Sequence, residues 1–283
     1  METIVKEQPE PHTRIIELRG ATFCYTVKPH KNYRKPSLQL DRAALRNVSV
    51  CIPRGSITAV LGPNGAGKST MLDLCLGWKQ PLAGEVLLRG RSIKSYSRKE
   101  MGRIVGLVPQ NEQLQFDYSL LEYVLLGRAP YLRQLELPGE REVKVAEEAL
   151  KQVGIFHLAE RRVTQLSGGE HQLLMIARSL AQQPEMLILD EPTSQLDPGN
   201  RLRIVNLLRR LNGEGKTIMF TTHDPSLAAA LAGHVILLKN GALLQAGDTE
   251  QTLTGEHLSQ LYDVPVEVTM TATRAGKKRV VLY

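Results

Sequence analysis

The sequence predicts an α/β fold with a largely parallel sheet. Two observations carry this reading. Short runs that are apolar nearly throughout recur along the chain, as strands buried on both faces of a parallel sheet require. Between them lie segments whose apolar residues repeat with the 3.6-residue period of a helix.

In order, the expected strands are Ser56–Leu61, Ile104–Val108, Met186–Leu189, Thr217–Thr221 and Val235–Leu238. The expected helices begin with Lys68–Leu76, directly after the first strand. Glu140–Val153 follows, with Val143, Ala146, Leu150 and Val153 on one face. Asn200–Leu211 carries Ile204, Leu207, Leu208 and Leu211 inward and its arginines elsewhere. From about Asn111 to Arg162 the pattern is helical with turns and without a convincing strand, which reads as a helical insertion on the α/β core. After Ala246 come a short helix, Gly255–Tyr262, and two β-prone pieces, Pro265–Ala272 and Arg279–Tyr283.

Bulk properties exclude several classes. The 283 residues suffice for one large domain or two small ones. No apolar run approaches the roughly 18–20 residues that cross a bilayer. The N-terminal METIVKEQPEPHTR is polar, unlike a signal peptide or anchor. Cys24, Cys51 and Cys75 form no CxxC pair and no metal spacing, so they read as thiols in a reducing compartment. The net charge of +7 is partly local, with five Lys/Arg between Lys28 and Arg42. That run fits a solvated loop; nucleic-acid binding is the alternative, without the aromatic–basic interleaving that would support it.

Five short segments carry chemistry. Gly62-Pro63-Asn64-Gly65-Ala66-Gly67-Lys68-Ser69 matches GxxxxGK[ST] between a strand and a helix. Its glycines let the backbone curl around phosphates, Lys68 brings positive charge to them, and Ser69 offers a hydroxyl to Mg²⁺. Met186–Glu191 is an apolar strand ending in two acids, where ligands sit in α/β sheets. Asp190 suits the Mg²⁺ side and Glu191 a general base for water, although an apolar run ending in acids also fits a helix cap. His223 ends Thr217–Asp224 and fits either a structural histidine or a hydrogen-bond donor to a γ-phosphate. Gln110, in Val108-Pro109-Gln110, reads as a turn residue or as a hinge that touches Mg²⁺ or water. Finally, Ser167-Gly168-Gly169 opens a second helix, a second place where backbone N–H groups can meet an anion.

Together these residues resemble the ATP-binding subunit of an ABC transporter. Gly62–Ser69 corresponds to Walker A, Gln110 to the Q-loop, and Leu166–Glu170 to the signature motif. Met186–Glu191 corresponds to Walker B, Ser194–Asp197 to the D-loop, and His223 to the switch histidine. Order and spacing match from about Ile15 to Gly247. The signature reads LSGGE rather than the commoner LSGGQ, with His171 where Arg is frequent, and the D-loop has Gln195 where Ala is usual.

The resemblance implies a P-loop NTPase (RecA-like) core with antiparallel β additions and a helical ABC subdomain at about 111–180. The implied organisation is a polar tail at 1–14, the ATPase domain at 15–247 and an extension at 248–283. It implies ATP and Mg²⁺ as cofactors, with the phosphate loop through Thr70 on the nucleotide and Ser69, Gln110 and Asp190 on the metal. Tyr25 falls where the family stacks an aromatic on adenine; the spacing before Leu45 is lengthened by the basic run, so Tyr33 is the alternative. Val124–Tyr131 and His257–Val266 resemble importer ATPases for siderophore–iron, haem, cobalamin and metal chelates.

The implied partners are a second copy, so that Ser167, Gly168 and Gly169 complete the cage around the neighbour's ATP, then integral-membrane permease subunits and an external substrate-binding protein. No nucleic acid is expected. The implied place is the cytoplasmic face of the membrane. An exporter ATPase and a soluble ABC ATPase acting on nucleic acid or ribosomes are the alternatives; the second lacks the fused second unit or long coiled-coil insertion usual for it.

Overall fold

The computed structural model describes residues 13–25, 43–112, 116–273 and 276–282. The chain divides into two compact units, Met1–Ser95 with His223–Tyr283, and Tyr96–Thr222.

The first unit begins with β1 (Arg14–Phe23), β2 (Leu45–Pro53), β3 (Ile57–Leu61), α1 (Lys68–Cys75), β4 (Ala83–Leu88) and β5 (Arg91–Ser92). The second contains α2 (Arg98–Ile104), β6 (Val105–Val108), α3 (Leu120–Leu125), α4 (Glu140–Val153), α5 (Gly168–Ala181), β7 (Met186–Leu189), α6 (Pro198–Gly213) and β8 (Thr217–Thr222). The chain then returns to the first unit through α7 (Pro225–Leu231), β9 (His234–Lys239), β10 (Ala242–Asp248), α8 (Thr249–Thr252), α9 (Gly255–Tyr262), β11 (Glu267–Thr273) and β12 (Gly276–Leu282).

In the first unit β3 pairs parallel with β9, and β10 adds antiparallel to β9. All five residues of β3 are buried, as are Val235–Leu238 of β9, which accounts for their unbroken apolar character. A separate antiparallel sheet has the order β2-β1-β4-β5. Its strand β1 buries Ile15, Ile16, Leu18 and Ala21 and carries register shifts at several points. Strands β11 and β12 form an antiparallel hairpin. In the second unit β6, β7 and β8 run parallel, with β7 between the other two.

The helix starts are set by local chemistry. Ser97, Ser119 and Ser167 each accept a bond from the N3 amide, and the N3 glutamate returns to the cap backbone. Asp197 caps α6 with Pro198 at its first turn, so this helix begins two residues before the periodicity suggested and ends two after. Helix α4 matches its expected span and buries Ala146, Ala149, Leu150 and Val153, with Val143 half-buried.

Among the described residues Arg128 is the largest fully buried side chain. Its Nη1 donates to the carbonyl of Ala181 at 2.6 Å, and its guanidinium lies 3.9 Å over the Tyr131 ring. Tyr131 donates to the Gln182 carbonyl at 2.9 Å, so the two residues satisfy the carbonyls of the last residue of α5 and of its C-cap. Desolvation holds the Arg128 pKa below its ordinary value. Cys75 is buried and its thiol is pushed up to about 12 by desolvation; the three cysteines are free thiols.

Candidate functional site

The first unit holds the glycine-rich loop between β3 and α1. Lys68 is 7% exposed, and its ammonium donates to the carbonyls of Gly62 at 2.8 Å and Pro63 at 3.2 Å. The loop therefore closes around its own cation. Ala66 donates to the Pro63 carbonyl, and Gly241 donates to the Ala66 carbonyl.

Two glycines are required sterically. A Cβ at Gly62 would lie 2.3 Å from the Leu238 carbonyl oxygen on β9. Gly67 is the N-cap of α1 at φ 102°, where a Cβ would lie 2.5 Å from the Ala44 carbonyl oxygen. Asn64 and Gly65 on the loop and Ser69 in the first turn of α1 are exposed, while Thr70 is buried. Backbone amides at a helix start, with a lysine held inside the curl, are a donor set suited to phosphate.

Thr70 reaches Tyr25: their hydroxyls are 3.0 Å apart. Tyr25 is 54% exposed, with its ring edge-on to Phe23 and the Lys79 ammonium 4.3 Å from its centroid. Lys79 also donates to the Tyr25 hydroxyl at 2.9 Å and pairs with Asp73 at 2.6 Å. One ring is thus fixed beside the phosphate-loop helix with much of its surface open, the property an adenine platform needs. Tyr33 and the basic run at 28–42 lie outside the described residues. His223 is exposed between β8 and the Asp224 cap of α7, and its carbonyl accepts a bond from the Tyr262 hydroxyl at 2.9 Å.

In the second unit the structure brings Gln110 and Glu191 together: the Gln110 amide donates to Glu191 Oε2 at 3.2 Å. Asp190 is held at the end of β7 by its amide, which donates to the Val108 carbonyl on the neighbouring strand. Thr221, fully buried on β8, donates its hydroxyl to Asp190 Oδ1 at 2.5 Å and accepts from the Glu191 amide at 2.9 Å. Glu191 itself sits in left-handed backbone at φ 46°, uncommon for a residue with a side chain. Its carbonyl accepts from the hydroxyl and amide of Ser194. The cluster offers two carboxylates and a carboxamide on neighbouring strand ends, able to hold a cation and to take a proton from water. Thr221 was missed in the sequence, where its only mark is a hydroxyl in an apolar strand.

Also in this unit, Ser167 caps α5. Its amide and hydroxyl donate to Glu170 Oε2 at 2.9 and 2.7 Å. These bonds hold the Glu170 pKa below the ordinary carboxylate value. The LSGGE variant thus completes a capping box. Gly168 has open space around it, whereas a Cβ on Gly169 would meet the Asn200 amide at 2.3–2.5 Å. Asn200 in turn bonds Asp197, so the start of α5 packs against the start of α6.

A closed glycine–lysine loop in one unit and a strand-end acid pair with a glutamine partner in the other define a P-loop nucleotide hydrolase. The chain belongs to the ABC transporter family, whose profile matches residues 45–194, and it is an ATP-binding, ATP-hydrolysing member.

It is 34% identical over 244 residues to the iron(3+)-hydroxamate import ATP-binding protein of Bacillus subtilis, covering 86% of this chain and 90% of that one. It is 36% identical over 217 residues to the ferric enterobactin transport ATP-binding protein of Escherichia coli, covering 76% and 80%. Among solved structures, a metal-chelate type ABC transporter in an inward-facing conformation is 32% identical, with a TM-score of 0.80 and coverage of 95% and 98%. A dimeric bacterial ABC transporter cassette is 31% identical, with a TM-score of 0.70 and coverage of 83% and 98%.

Proposed function

We propose that this chain energises a membrane importer for an iron–siderophore, haem, cobalamin or related metal chelate. Its relatives with named cargo support the class: iron hydroxamate, ferric enterobactin and hemin importers, with molybdate and manganese systems beside them. In this reading residues 15–247 form the ATPase domain, with the helical subdomain at about 111–180 and an extension at 248–283. The protein acts peripherally at the cytoplasmic face of the membrane; among the described residues no helix is long and apolar enough to cross it.

Residues Gly62 to Thr70 hold the triphosphate and Tyr25 stacks on adenine. Ser69, Gln110 and Asp190 take Mg²⁺, which supplies charge neutralisation at the phosphates. Glu191 accepts a proton from the attacking water, and His223 donates to the γ-phosphate. Two copies enclose two nucleotides, each copy lending Ser167, Gly168 and Gly169 to its neighbour's ATP. Loss of the γ-phosphate removes the ligand that the second helix start binds, so hydrolysis reopens the pair and drives permease subunits. An external binding protein delivers the chelate.

The observation that carries the chemical reading is the Gln110–Glu191 hydrogen bond, which joins the nucleotide-sensing glutamine to the base at 3.2 Å. Glu191→Gln should retain ATP affinity and lose turnover by at least about 100-fold, the usual weight of a general base. Wild-type hydrolysis by this variant removes Glu191 from the role. Co-purification with a polytopic permease, and chelate-dependent stimulation of ATPase activity in the reconstituted complex, test the import assignment. Stimulation by nucleic acid or ribosomes instead would favour the soluble class.

A further inference from the structure

Two residues beyond Gln110, Glu112 joins a side-chain cluster that the nucleotide chemistry does not use. Glu112 Oε1 accepts from Arg178 Nη1 at 2.6 Å, and Oε2 accepts from the Tyr123 hydroxyl at 2.5 Å. The Arg178 guanidinium lies 5.0 Å from the Tyr123 ring centroid, so the three side chains close on one another. Arg178 and Glu112 are 19% and 26% exposed, which shields the pair from much of the solvent screening that weakens surface ion pairs. Burial raises the Tyr123 pKa, keeping the phenol a donor. His171, half-buried, lies seven residues before Arg178 and so two turns away on the same side of α5.

The two ends of this contact belong to different functional segments. Glu112 lies two residues after Gln110, in the same loop. Arg178 is on α5, the helix that Ser167 caps. Arg178 is ten residues along the helix from Gly168, a rigid lever of roughly 15 Å. Its backbone is also seated: a Cβ on Gly127 would lie 2.2 Å from the Arg178 carbonyl oxygen, so the 127–131 segment packs directly on this turn. Arg128 and Tyr131 bond the carbonyls of Ala181 and Gln182 at the helix end.

We propose that Glu112 is a positioning residue that ties the Gln110 loop to α5, so that Gln110 and the Ser167 turn move as one body. A displacement of Gln110 is then carried to the signature turn through Arg178, and bending is confined to the chain before Glu112. The functional consequence rests on the roles given above to Gln110 and Ser167; the tie itself does not.

The test compares the wild-type full chain with Glu112→Gln, Glu112→Lys, Arg178→Glu and the Glu112→Lys/Arg178→Glu exchange. Hydrogen–deuterium exchange is followed without nucleotide at 108–112 and at 166–171, and steady-state ATP hydrolysis is measured beside it. Each single variant should raise uptake at both segments, and the exchange of charges should bring both back toward wild type. Hydrolysis by Glu112→Gln should fall at least fivefold in kcat with KM for ATP unchanged, because the phosphate loop is untouched.

Uptake that rises only at 108–112, or a double variant no better than the singles, would overturn the tie and reduce Glu112 to a local ion pair. Coupled uptake with unchanged kcat would uphold the tie and overturn the roles of Gln110 and Ser167. Should a charge-reversed variant lose the wild-type circular dichroism, Glu112→Gln and Arg178→Lys decide the matter, since the first keeps side-chain size and the second keeps the charge while removing the guanidinium fork.

Discussion

Thr221→Val isolates the device that holds the acid pair. Valine keeps the shape of threonine and replaces the hydroxyl by a methyl. The side chain is fully buried, so water cannot stand in for the lost oxygen. Two bonds disappear: the one donated to Asp190 Oδ1 and the one accepted from the Glu191 amide. A bond to an ionised group is worth about 1.5–3 kcal/mol, and an amide left unpaired about 1–3 kcal/mol. The two share one oxygen and do not simply add. Glu191 also occupies left-handed backbone, which costs an L-residue about 1–2 kcal/mol and is released when its anchor goes. The net loss in stability should therefore be about 2 kcal/mol.

Activity should suffer more clearly than stability. With its amide released, Glu191 can relax to right-handed backbone and turn its carboxylate away from Gln110. A fall in kcat of at least tenfold corresponds to about 1.4 kcal/mol of transition-state stabilisation. Denaturant midpoints and steady-state ATPase rates measure the two effects. Thr221→Ser keeps the hydroxyl and should restore both. A Thr221→Val protein with wild-type midpoint and kcat would refute the reasoning.

Three other perturbations bear on the same motifs. Gly67→Ala places a Cβ against the Ala44 carbonyl at φ 102°; a strain of about 1–3 kcal/mol should weaken ATP affinity at least tenfold, and an unchanged Kd with wild-type circular dichroism would show that the loop tolerates it. Glu170→Gln keeps a capping residue at N3 and removes a negative charge beside Ser167. If Ser167 meets a γ-phosphate, the ATP concentration needed to pair two Glu191→Gln chains should drop about threefold or more, and no drop counts against that contact. Burial holds His171 and His234 below the ordinary histidine pKa of 6.5, against the opposing pull of Glu112 on the first and Asp248 on the second. The unfolded chain then binds more protons below pH 6.5, so this stabilisation is complete above that pH and is lost as pH falls through the folded values. His171→Gln/His234→Gln should flatten the dependence of the denaturation midpoint below pH 6.5; an unaltered slope would assign it to other groups.

What the sequence made legible follows from burial. Strands β3, β7 and β8 and the Val235–Leu238 run of β9 are buried on both faces, so their residues are apolar or small, and the run stands out. Strands β1, β2 and β10 are half-exposed, and β1 and β10 carry register shifts that interrupt the two-residue alternation. Of the three, β2 keeps a short alternation, with Val48, Val50 and Ile52 buried, and only the family resemblance implied antiparallel additions. The phosphate loop was legible because its glycines answer to backbone sterics, which leave fixed spacing. Thr221 and Glu112 were not, because each acts through a partner far along the chain: Thr221 through residues 30 and 31 positions away, Glu112 through one 66 positions away.

The placement of strain separates the two halves of the chemistry. In the phosphate loop the positive-φ positions are Gly65 and Gly67, where glycine removes the penalty. At the acid pair they are Glu191 and Gln195, both with side chains, at φ 46° and 64°. A glycine at 191 would relieve the backbone and delete the carboxylate that Gln110 contacts. The left-handed turn is instead retained and braced from three sides, by Thr221 on the amide and by the Ser194 hydroxyl and amide on the carbonyl. Such bracing is expected where a side chain must point in a direction that ordinary strand-to-turn geometry does not supply. On this argument Glu191→Gly should be more stable locally yet inactive, whereas Ser194→Ala should lose activity while keeping every acidic group. The pair of outcomes separates the direction of the Glu191 carboxylate from its mere presence, and equal activity in Ser194→Ala and wild type would show that the turn needs no brace.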